Sequence, residues 1–403
     1  MITADEALNL VIQSSAPLTP EPYALAAARG LVLAEDVAAD RDYPPFPRSM
    51  MDGFAVRLAD AGKSVPVIGE IPAGASWDGE LVDGDCLAIL TGAACPTGAE
   101  AVVPKEHTRQ QGTEVVLPEH LVPNQNITSP GSECRQGDCI LSAGIRVTPL
   151  ILAVLASFGR SSVGAIPRPR LGIITTGGEL AEEGIALQPN QIRNSNGPML
   201  AAMAEEVGID SPQCLHACDD VNELRQSLEQ FADMDIVVLT GGVSVGTYDL
   251  VPQVLADIGA ERVFHGVKQK PGKPILFART NRQLFFGLPG NPLACHLGFH
   301  RYVSAAIRKM SGQDAQLRFL GELAGSVESK EGRTHFVPGR AEPAIDSSAP
   351  WRIAPLIAAS SADLFRTCNA NCYIELPSLN RTLLVGETCP FTWLADQLQS
   401  RLR

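Results

Sequence analysis

The stretch DIVVLTGGVSVGTYD, residues 235–249, decides how the middle of this 403-residue chain folds. Its aliphatic run, Ile236–Leu239, predicts a strand that is buried on both faces. Two glycines follow directly, and a third glycine and Asp249 come before the helical pattern Leu250–Ile258. A plain strand-to-helix turn needs at most one glycine. The additional glycines therefore indicate that a ligand comes close to the backbone here.

Two other aliphatic strands in the same region end in glycine-rich loops. The strand Leu171–Ile174 runs into TTGGEL, and the strand Leu284–Phe286 runs into GLPGNP. Amphipathic patterns predict the helices Met199–Val207 and Leu293–Lys309. An alternation of strands and helices is typical of a mostly parallel sheet. The sequence therefore predicts a central α/β domain within a multidomain α/β and β protein.

The three loops are candidates for an anion-binding site. In an open parallel sheet, ligands bind beyond the carboxyl ends of the strands, where glycine N–H groups and helix N-termini attract anions. The pattern is neither GxGxxG nor GxxxxGK[ST], so neither a Rossmann fold nor a P-loop is indicated. Simple tight turns are the alternative, but three such loops at corresponding strand ends favour a site. Its candidate residues are Thr176, Gly177, Gly178, Gly241, Gly242, Ser244, Gly246, Pro289, Gly290, Asn291 and Pro292.

Acidic side chains stand beside these glycines. Two carboxylates at an anion site would repel the ligand unless a cation lay between them, so Asp249 and Glu179 are predicted to hold Mg²⁺ that faces phosphate oxygens. Glu179 is expected at the point of its loop that corresponds to Asp249 at the start of a helix. A helix N-cap is the alternative for Asp249. Asp219 and Asp220 are weaker candidates that helix capping would also explain.

Basic residues cluster in KQKPGKP, residues 268–274. Three lysines lie within six residues of a loop stiffened by two prolines and a glycine, which favours an oxyanion clamp over an ordinary solvated charge run. Its members are Lys268, Lys270, Pro271, Gly272, Lys273 and Pro274. The histidines His296 and His300 have a helical spacing that can bind zinc. No further ligand follows them at motif spacing, so a metal role is not favoured.

Composition excludes several function classes. A net charge of −13 argues against a nucleic-acid binder, which needs basic surface. The N-terminus has neither the basic region nor the apolar core of a secretory signal, and no apolar run approaches the length of a membrane span. The ten cysteines form no CxxC pair. A cytoplasmic protein with reduced thiols and no membrane contact is expected.

The remainder of the chain predicts mainly β structure. A capping box at Thr3 and Glu6 predicts a helix over residues 3–12, and a second short helix is expected over 21–29. Short apolar alternations predict an all-β segment from 38 to about 144, followed by the helix Leu150–Phe158. A small β domain is expected from 315 to 403.

Several motifs together resemble the MoeA family, the molybdopterin molybdenumtransferases that include the E domain of gephyrin. The motifs occur in family order and cover nearly the whole chain. They are PRSMMDGFAV, LAILTGAACPTGAEAVVPKE, TTGGEL, QIRNSNGPML, TGGVSVGTYD, KPGKP, GLPGNP and LFRTCNANCYIELP.

The resemblance implies four domains and a homodimer. An elongated helical and mixed domain would comprise residues 1–43 plus 145–168, a β domain 44–144, the molybdopterin-binding α/β domain 169–315, and a C-terminal β-barrel-like domain 316–403. In family members the active site lies between the α/β domain of one subunit and the β domain of the other. That arrangement would give Ser49, Asp52 and Thr91 a role at the site.

The resemblance also implies a reaction and its participants. Adenylylated molybdopterin and molybdate would be the substrates, and AMP would leave with the help of Mg²⁺. A molybdopterin adenylyltransferase and molybdenum enzymes are possible partners. Asn196 and the lysines would bind substrate. The implied catalytic residues are Asp249, Glu179, Thr91 and Asp219.

This chain departs from the family pattern at four positions. Gly178 and Asn194 stand where acids are usual, and Thr128 and Pro338 stand where arginines are usual. These differences leave open a non-catalytic molybdopterin-binding or scaffold paralogue. A nucleotide pyrophosphatase built on the same α/β domain is a third, less favoured alternative.

Overall fold

The computed structural model describes residues 1–181, 184–243, 250–314, 317–344 and 349–394. The chain divides into two compact units. The large unit comprises residues 1–23, 28–32 and 164–403, and the small unit comprises residues 24–27 and 33–163.

The large unit is built around a six-stranded, mostly parallel sheet. Its first four strands pair in parallel, and its last two pair antiparallel at one edge. In spatial order the strands are Gln213–Ala217, Leu171–Thr176, Ile236–Thr240, Leu284–Leu288, Leu276–Arg279 and Glu261–His265. The helices of this region are Asn196–Glu206, Val221–Gln230, Leu250–Asp257, Pro292–Gly298 and Ser304–Met310.

Both faces of the three central parallel strands are buried, as the aliphatic runs predict. Ile236 and Val238 pack into one hydrophobic core, while Val237 and Leu239 pack into a second core on the opposite face. Successive side chains of a strand point to opposite faces, so a continuous apolar run fits a strand covered on both sides. The α/β architecture is therefore confirmed.

A second sheet of the large unit has seven strands. The pairing of its strand Thr334–Pro343 with Cys372–Leu376 closes five of them into a ring. In spatial order the seven are Ile2–Thr3, Val267–Lys270, Thr334–Pro343, Trp351–Pro355, Phe319–Leu323, Thr388–Trp393 and Cys372–Leu376. Two small pairs complete the unit, Leu180–Ala181 with Ile192–Arg193 and Val327–Ser329 with Arg381–Leu383.

The small unit contains a six-stranded β sheet, which agrees with the predicted β segment. In spatial order its strands are Arg109–Gln111, Glu114–Val116, Ser64–Ile71, Cys86–Ile89, Gly53–Val56 and Ala101–Pro104. Two small pairs are Ile127–Thr128 with Arg48–Ser49 and Cys139–Leu141 with Val37–Ala38, and the helix is Pro149–Ser157. The division into four domains stays a prediction.

The helix predicted over residues 21–29 is wrong in its first half. Glu21–Ala24 forms a strand, and only Leu25–Ala28 is helical. Pro22 disfavours helical geometry at the preceding residue, which explains the extended start. This strand belongs to a three-stranded sheet whose spatial order is Glu21–Ala24, Ser162–Ile166 and Val32–Leu33.

The predicted helix Leu293–Lys309 is also modified. It begins one residue earlier, and a π-helical segment, Phe299–Val303, interrupts it before the α-helix Ser304–Met310 completes it.

The N-terminal helix, Ala4–Ser14, carries the predicted capping box between Thr3 and Glu6. Within the described ranges, no helix combines the length and the apolar character needed to cross a membrane.

The two histidines of this interrupted helix have hydroxyl partners. His296 Nδ1 lies 2.8 Å from the Tyr373 hydroxyl, and His300 Nε2 lies 3.1 Å from Thr392 Oγ1. Burial lowers the pKa of His296 to about 4 and the pKa of His300 well below its usual value. Both imidazoles are therefore neutral at pH 7, with His300 buried and His296 half-buried.

These buried histidines make the fold sensitive to acid. The unfolded chain binds protons near pH 6.5 while folded His296 does not, so the free energy of unfolding falls as pH drops from about 6.5 toward about 4. We expect His296→Gln to flatten this dependence in urea unfolding measured across that range. The same change at exposed His120 should leave the slope unchanged. Equal slopes for wild type and His296→Gln would contradict the assignment.

Candidate functional site

The carboxyl ends of four parallel strands meet at one edge of the central sheet. Thr175 pairs with Thr240, and Thr240 pairs with Leu288, so the three predicted loops leave neighbouring strands at the same level. A fourth strand, Gln213–Ala217, was not predicted, and it brings Asp219 to this edge as well. We call this arrangement the sheet-edge site.

Asn196 ties the loops of the sheet-edge site together. Its Nδ2 donates to Thr240 Oγ1 at 2.9 Å and to the carbonyl oxygen of Gly290 at 2.8 Å. Its Oδ1 is buried and has no hydrogen-bond partner among the described residues. A buried acceptor without a partner is rare in native proteins, so this oxygen is suited to accept from a ligand N–H.

The glycines permit close packing of neighbouring loops. A Cβ on Gly241 would lie 2.5 Å from Thr176 Oγ1, and Gly241 has a φ of +97°. However, the amides of Gly177, Gly178 and Gly241 already donate to protein acceptors at 3.2–3.4 Å. The amides of Gly177 and Gly241 are thus engaged with backbone carbonyls, and the amide of Gly178 with the Asp219 side chain. The anion-binding role of these glycines stays a prediction.

The carboxylates of Glu179 and Asp219 both lie against the TTGG loop. Asp219 Oδ2 accepts from the N–H of Gly178 at 3.4 Å, and the Glu179 carboxylate folds back over Gly177. Both residues are exposed, and neither forms an ion pair with a described residue. Asp220 instead caps the helix Val221–Gln230, accepting from two backbone N–H groups.

The expectation that Glu179 stands at the start of a helix is wrong. The TTGG loop leads into the short strand Leu180–Ala181, and the next helix begins only at Asn196. Asp249, Ser244 and Gly246 lie outside the described residues, so their predicted roles stay predictions.

A cavity of about 480 Å³ lies beside the sheet-edge site and contains the KPGKP turn. We call it the lysine cavity, because Lys270 and Lys273 line it. Lys268 lies on the strand Val267–Lys270, where its charge acts on Glu6, and does not line this cavity. The expected clamp of three lysines on one loop is therefore reduced to two. The other motif residues on the wall are Pro271, Gly272, Pro274, Pro289 and Asn291.

Buried polar residues hold the KPGKP turn in place. Gln269 is fully buried, its Nε2 donates to the carbonyl oxygen of Pro271 at 3.0 Å, and its Oε1 accepts from the Tyr302 hydroxyl. Gly272 has a φ of +86°, which glycine adopts without strain. Asn291 Nδ2 donates to Ser361 Oγ at 2.9 Å on the opposite wall. Sequence reasoning missed Gln269, Ser361 and Tyr302, since only tertiary contacts reveal them.

The small unit brings Asp52 and Thr91 together. Asp52 Oδ1 accepts from Thr91 Oγ1 at 2.6 Å and from the Thr91 N–H at 2.7 Å. These two hydrogen bonds hold the pKa of Asp52 below its usual value. Gly53 is required beside it, because a Cβ there would lie 2.0 Å from the carbonyl oxygen of Val103. Ser49 is buried, and its hydroxyl donates to the carbonyl oxygen of Met51 at 2.7 Å.

One of the positions that depart from the family pattern, Asn194, has a local explanation. Asn194 Oδ1 accepts from the N–H of Gly197, and its Nδ2 donates to Thr175 Oγ1, which an aspartate could not do. A Cβ on Gly178 would meet nothing within 4 Å, so nothing in the structure explains why an acid is absent there. Pro338 lines the lysine cavity, and Thr128 pairs with Arg48.

Asn196 should contribute measurably to stability. Replacing Asn196 with Ala removes two hydrogen bonds that join the strand end at Thr240 to the loop at Gly290. We expect the free energy of unfolding to fall by about 1–3 kcal/mol, measured by urea denaturation. The same change at exposed Asn281 serves as the control. An unchanged midpoint for Asn196→Ala would show that these bonds do not hold the loops.

Family models match almost the entire chain. The MoeA N-terminal region (domain I and II) matches residues 2–159, a probable molybdopterin binding domain matches residues 172–309, and the MoeA C-terminal region (domain IV) matches residues 321–394.

Named relatives and solved structures agree with these matches. A molybdopterin molybdenumtransferase of Staphylococcus aureus is 33% identical over 397 residues, covering 96% of this chain and 94% of the relative. One from Staphylococcus epidermidis is 35% identical over 322 residues, covering 78% of this chain and 77% of the relative. A molybdopterin biosynthesis MoeA protein from Pyrococcus horikoshii superposes with a TM-score of 0.79 at 27% identity, covering 98% of this chain and all of that one. The chain therefore belongs to the MoeA family.

Proposed function

We propose that this chain is a molybdopterin molybdenumtransferase of molybdenum cofactor biosynthesis. It would take adenylylated molybdopterin and molybdate as substrates and release AMP. The observation that carries the proposal is the loop GLPGNP, which serves two sites at once. Gly290 accepts from Asn196 at the sheet-edge site, while Pro289 and Asn291 line the lysine cavity. A ligand at the sheet edge and an oxyanion in the cavity would share this loop.

The sheet-edge site would bind the pterin nucleotide. The unpartnered Asn196 Oδ1 needs a hydrogen-bond donor, and the amino and ring N–H groups of a pterin are donors. Because three glycine amides are used internally, the glycines act mainly by allowing close approach of the ligand to the backbone.

The donor chemistry at the TTGG loop fits Mg²⁺. Glu179 and Asp219 offer exposed carboxylates with no cationic partner among the described residues, and Mg²⁺ is commonly held by one or two carboxylates plus substrate phosphates. No cluster of three or more His, Cys, Asp or Glu in the described ranges could hold a metal alone. Asp249 and ligand phosphates would complete the set. When bound, Mg²⁺ would neutralise phosphate charge as AMP leaves.

The lysine cavity would hold molybdate. Lys270 and Lys273 line the cavity on a turn whose backbone buried Gln269 fixes, so their ammonium groups would be available to an oxyanion. Asp52 and Thr91 would complete the site of the partner in a homodimer, a proposal that rests on the family resemblance alone. Light scattering of the purified protein tests the dimer.

The charge of Asp219 should matter for turnover. Asp219→Asn keeps an oxygen that can accept from Gly178 N–H but removes the negative charge. We expect a 10- to 100-fold fall in AMP release from adenylylated molybdopterin, in the presence of Mg²⁺ and molybdate, followed by chromatography.

Asp220→Asn provides a matched control for that assay. It makes the same chemical change at the neighbouring residue, and asparagine is an equally good helix N-cap. Its turnover should equal that of the wild type. Equal turnover for Asp219→Asn would remove Asp219 from the site. Pterin nucleotide binding without AMP release by the wild type would identify a non-catalytic paralogue.

The lysine cavity can be tested separately. Lys273→Gln removes a cation while keeping a similar chain length, so we expect the half-saturating molybdate concentration to rise about tenfold or more in the AMP-release assay. Lys309→Gln, at an exposed position on the helix Ser304–Met310, is the control. An unchanged molybdate requirement for Lys273→Gln would place molybdate elsewhere.

A further inference from the structure

A buried histidine lines the lysine cavity and has no role in the site described so far. His335 lies on the strand Thr334–Pro343, is only 6% exposed, and forms part of the cavity wall. It pairs in register with Lys270 on the neighbouring parallel strand. A titratable ring therefore stands beside a lysine of the proposed oxyanion site.

One ring nitrogen of this histidine lacks a partner. His335 Nε2 is buried and has no hydrogen-bond partner among the described residues. A buried polar atom of this kind is costly unless a ligand or water satisfies it, because it has lost its hydration. The residue His335 lines a cavity of about 480 Å³, which leaves room for such a ligand beside its ring.

The surroundings of His335 favour an anion as that ligand. Burial lowers the pKa of His335, and the positive charges of Lys270, Arg333 and Lys330 lower it further, while Glu328 opposes them. On its other side the strand Cys372–Leu376 presents Leu376 in register, and Glu375 of that strand is paired with Arg301. Without a ligand these surroundings favour the neutral imidazole. A dianion in the cavity would reverse that preference, because it attracts the imidazolium.

We propose that His335 takes up a proton when a tetrahedral oxyanion enters the lysine cavity and then donates from Nε2 to that oxyanion. The inference rests on the proposed function, since molybdate is the expected occupant. Proton uptake and oxyanion binding are then linked, and affinity rises as pH falls. His335 thus sets the pH range in which the cavity is loaded.

Molybdate binding to the full chain, measured by calorimetry between about pH 6 and about pH 8, tests this linkage. For the wild type we expect affinity to rise about tenfold or more over this range toward lower pH. Titrations in two buffers of different ionisation enthalpy should show net proton uptake. His335→Gln should bind with an affinity that changes little with pH and should take up no proton. His120→Gln, an exposed histidine, should behave as the wild type.

The outcomes separate this inference from the proposed function. Molybdate binding that is independent of pH, or equally dependent on pH in His335→Gln, overturns the role of His335 and leaves the transferase proposal standing. Absence of molybdate binding at every pH overturns the inference, while AMP release, assayed alongside, reports independently on the transferase. Displacement of molybdate by AMP at about pH 8 would assign the occupant as a phosphate group instead, with His335 still its donor if proton uptake is seen.

Discussion

The register of four parallel strands is the constraint on which the candidate site depends. Thr175, Thr240 and Leu288 lie side by side, so the loops that follow them cannot separate without breaking the sheet. Both faces of the three strands that carry these residues are buried, and a slip of one residue would turn every core side chain to the wrong face. The packing of the two cores thus fixes the position of the site.

Much of this arrangement could be predicted from the sequence, because aliphatic runs and glycine loops are local signals. The strand Gln213–Ala217 was missed, since its sequence QCLHA alternates weakly and most of its side chains are not buried. The π-helical segment Phe299–Val303 was missed because its residues continue the apolar pattern of a regular helix. Pro22 disfavours a helical conformation at Glu21, and the apolar pattern that predicted a helix there does not include this local effect.

The chemistry of the site was less predictable than its location. The glycine-rich loops suggest that glycine amides bind an anion. The N–H groups of Gly177, Gly178 and Gly241, however, donate to acceptors within the protein. Lys268 and Lys270 share one face of their strand, yet only Lys270, at the end next to the turn, lines the cavity. A strand some 65 residues downstream supplies His335. No local pattern connects Lys270 with His335, because their pairing exists only in the folded sheet.

The departures from the family pattern act in one electrostatic direction at the sheet edge. Gly178 and Asn194 are neutral where acids are usual, so fewer carboxylates repel an anionic nucleotide there. The same change would leave fewer oxygen ligands for the proposed cation, which would then depend more on Glu179, Asp219 and the ligand's own phosphates. In the lysine cavity, Pro338 stands where the family resemblance implies an arginine, and His335 is a titratable group on the same wall. An imidazole is charged only when a proton is available, whereas an arginine is always charged. Exchanging a permanent cation for a conditional one would make loading of the cavity depend on pH.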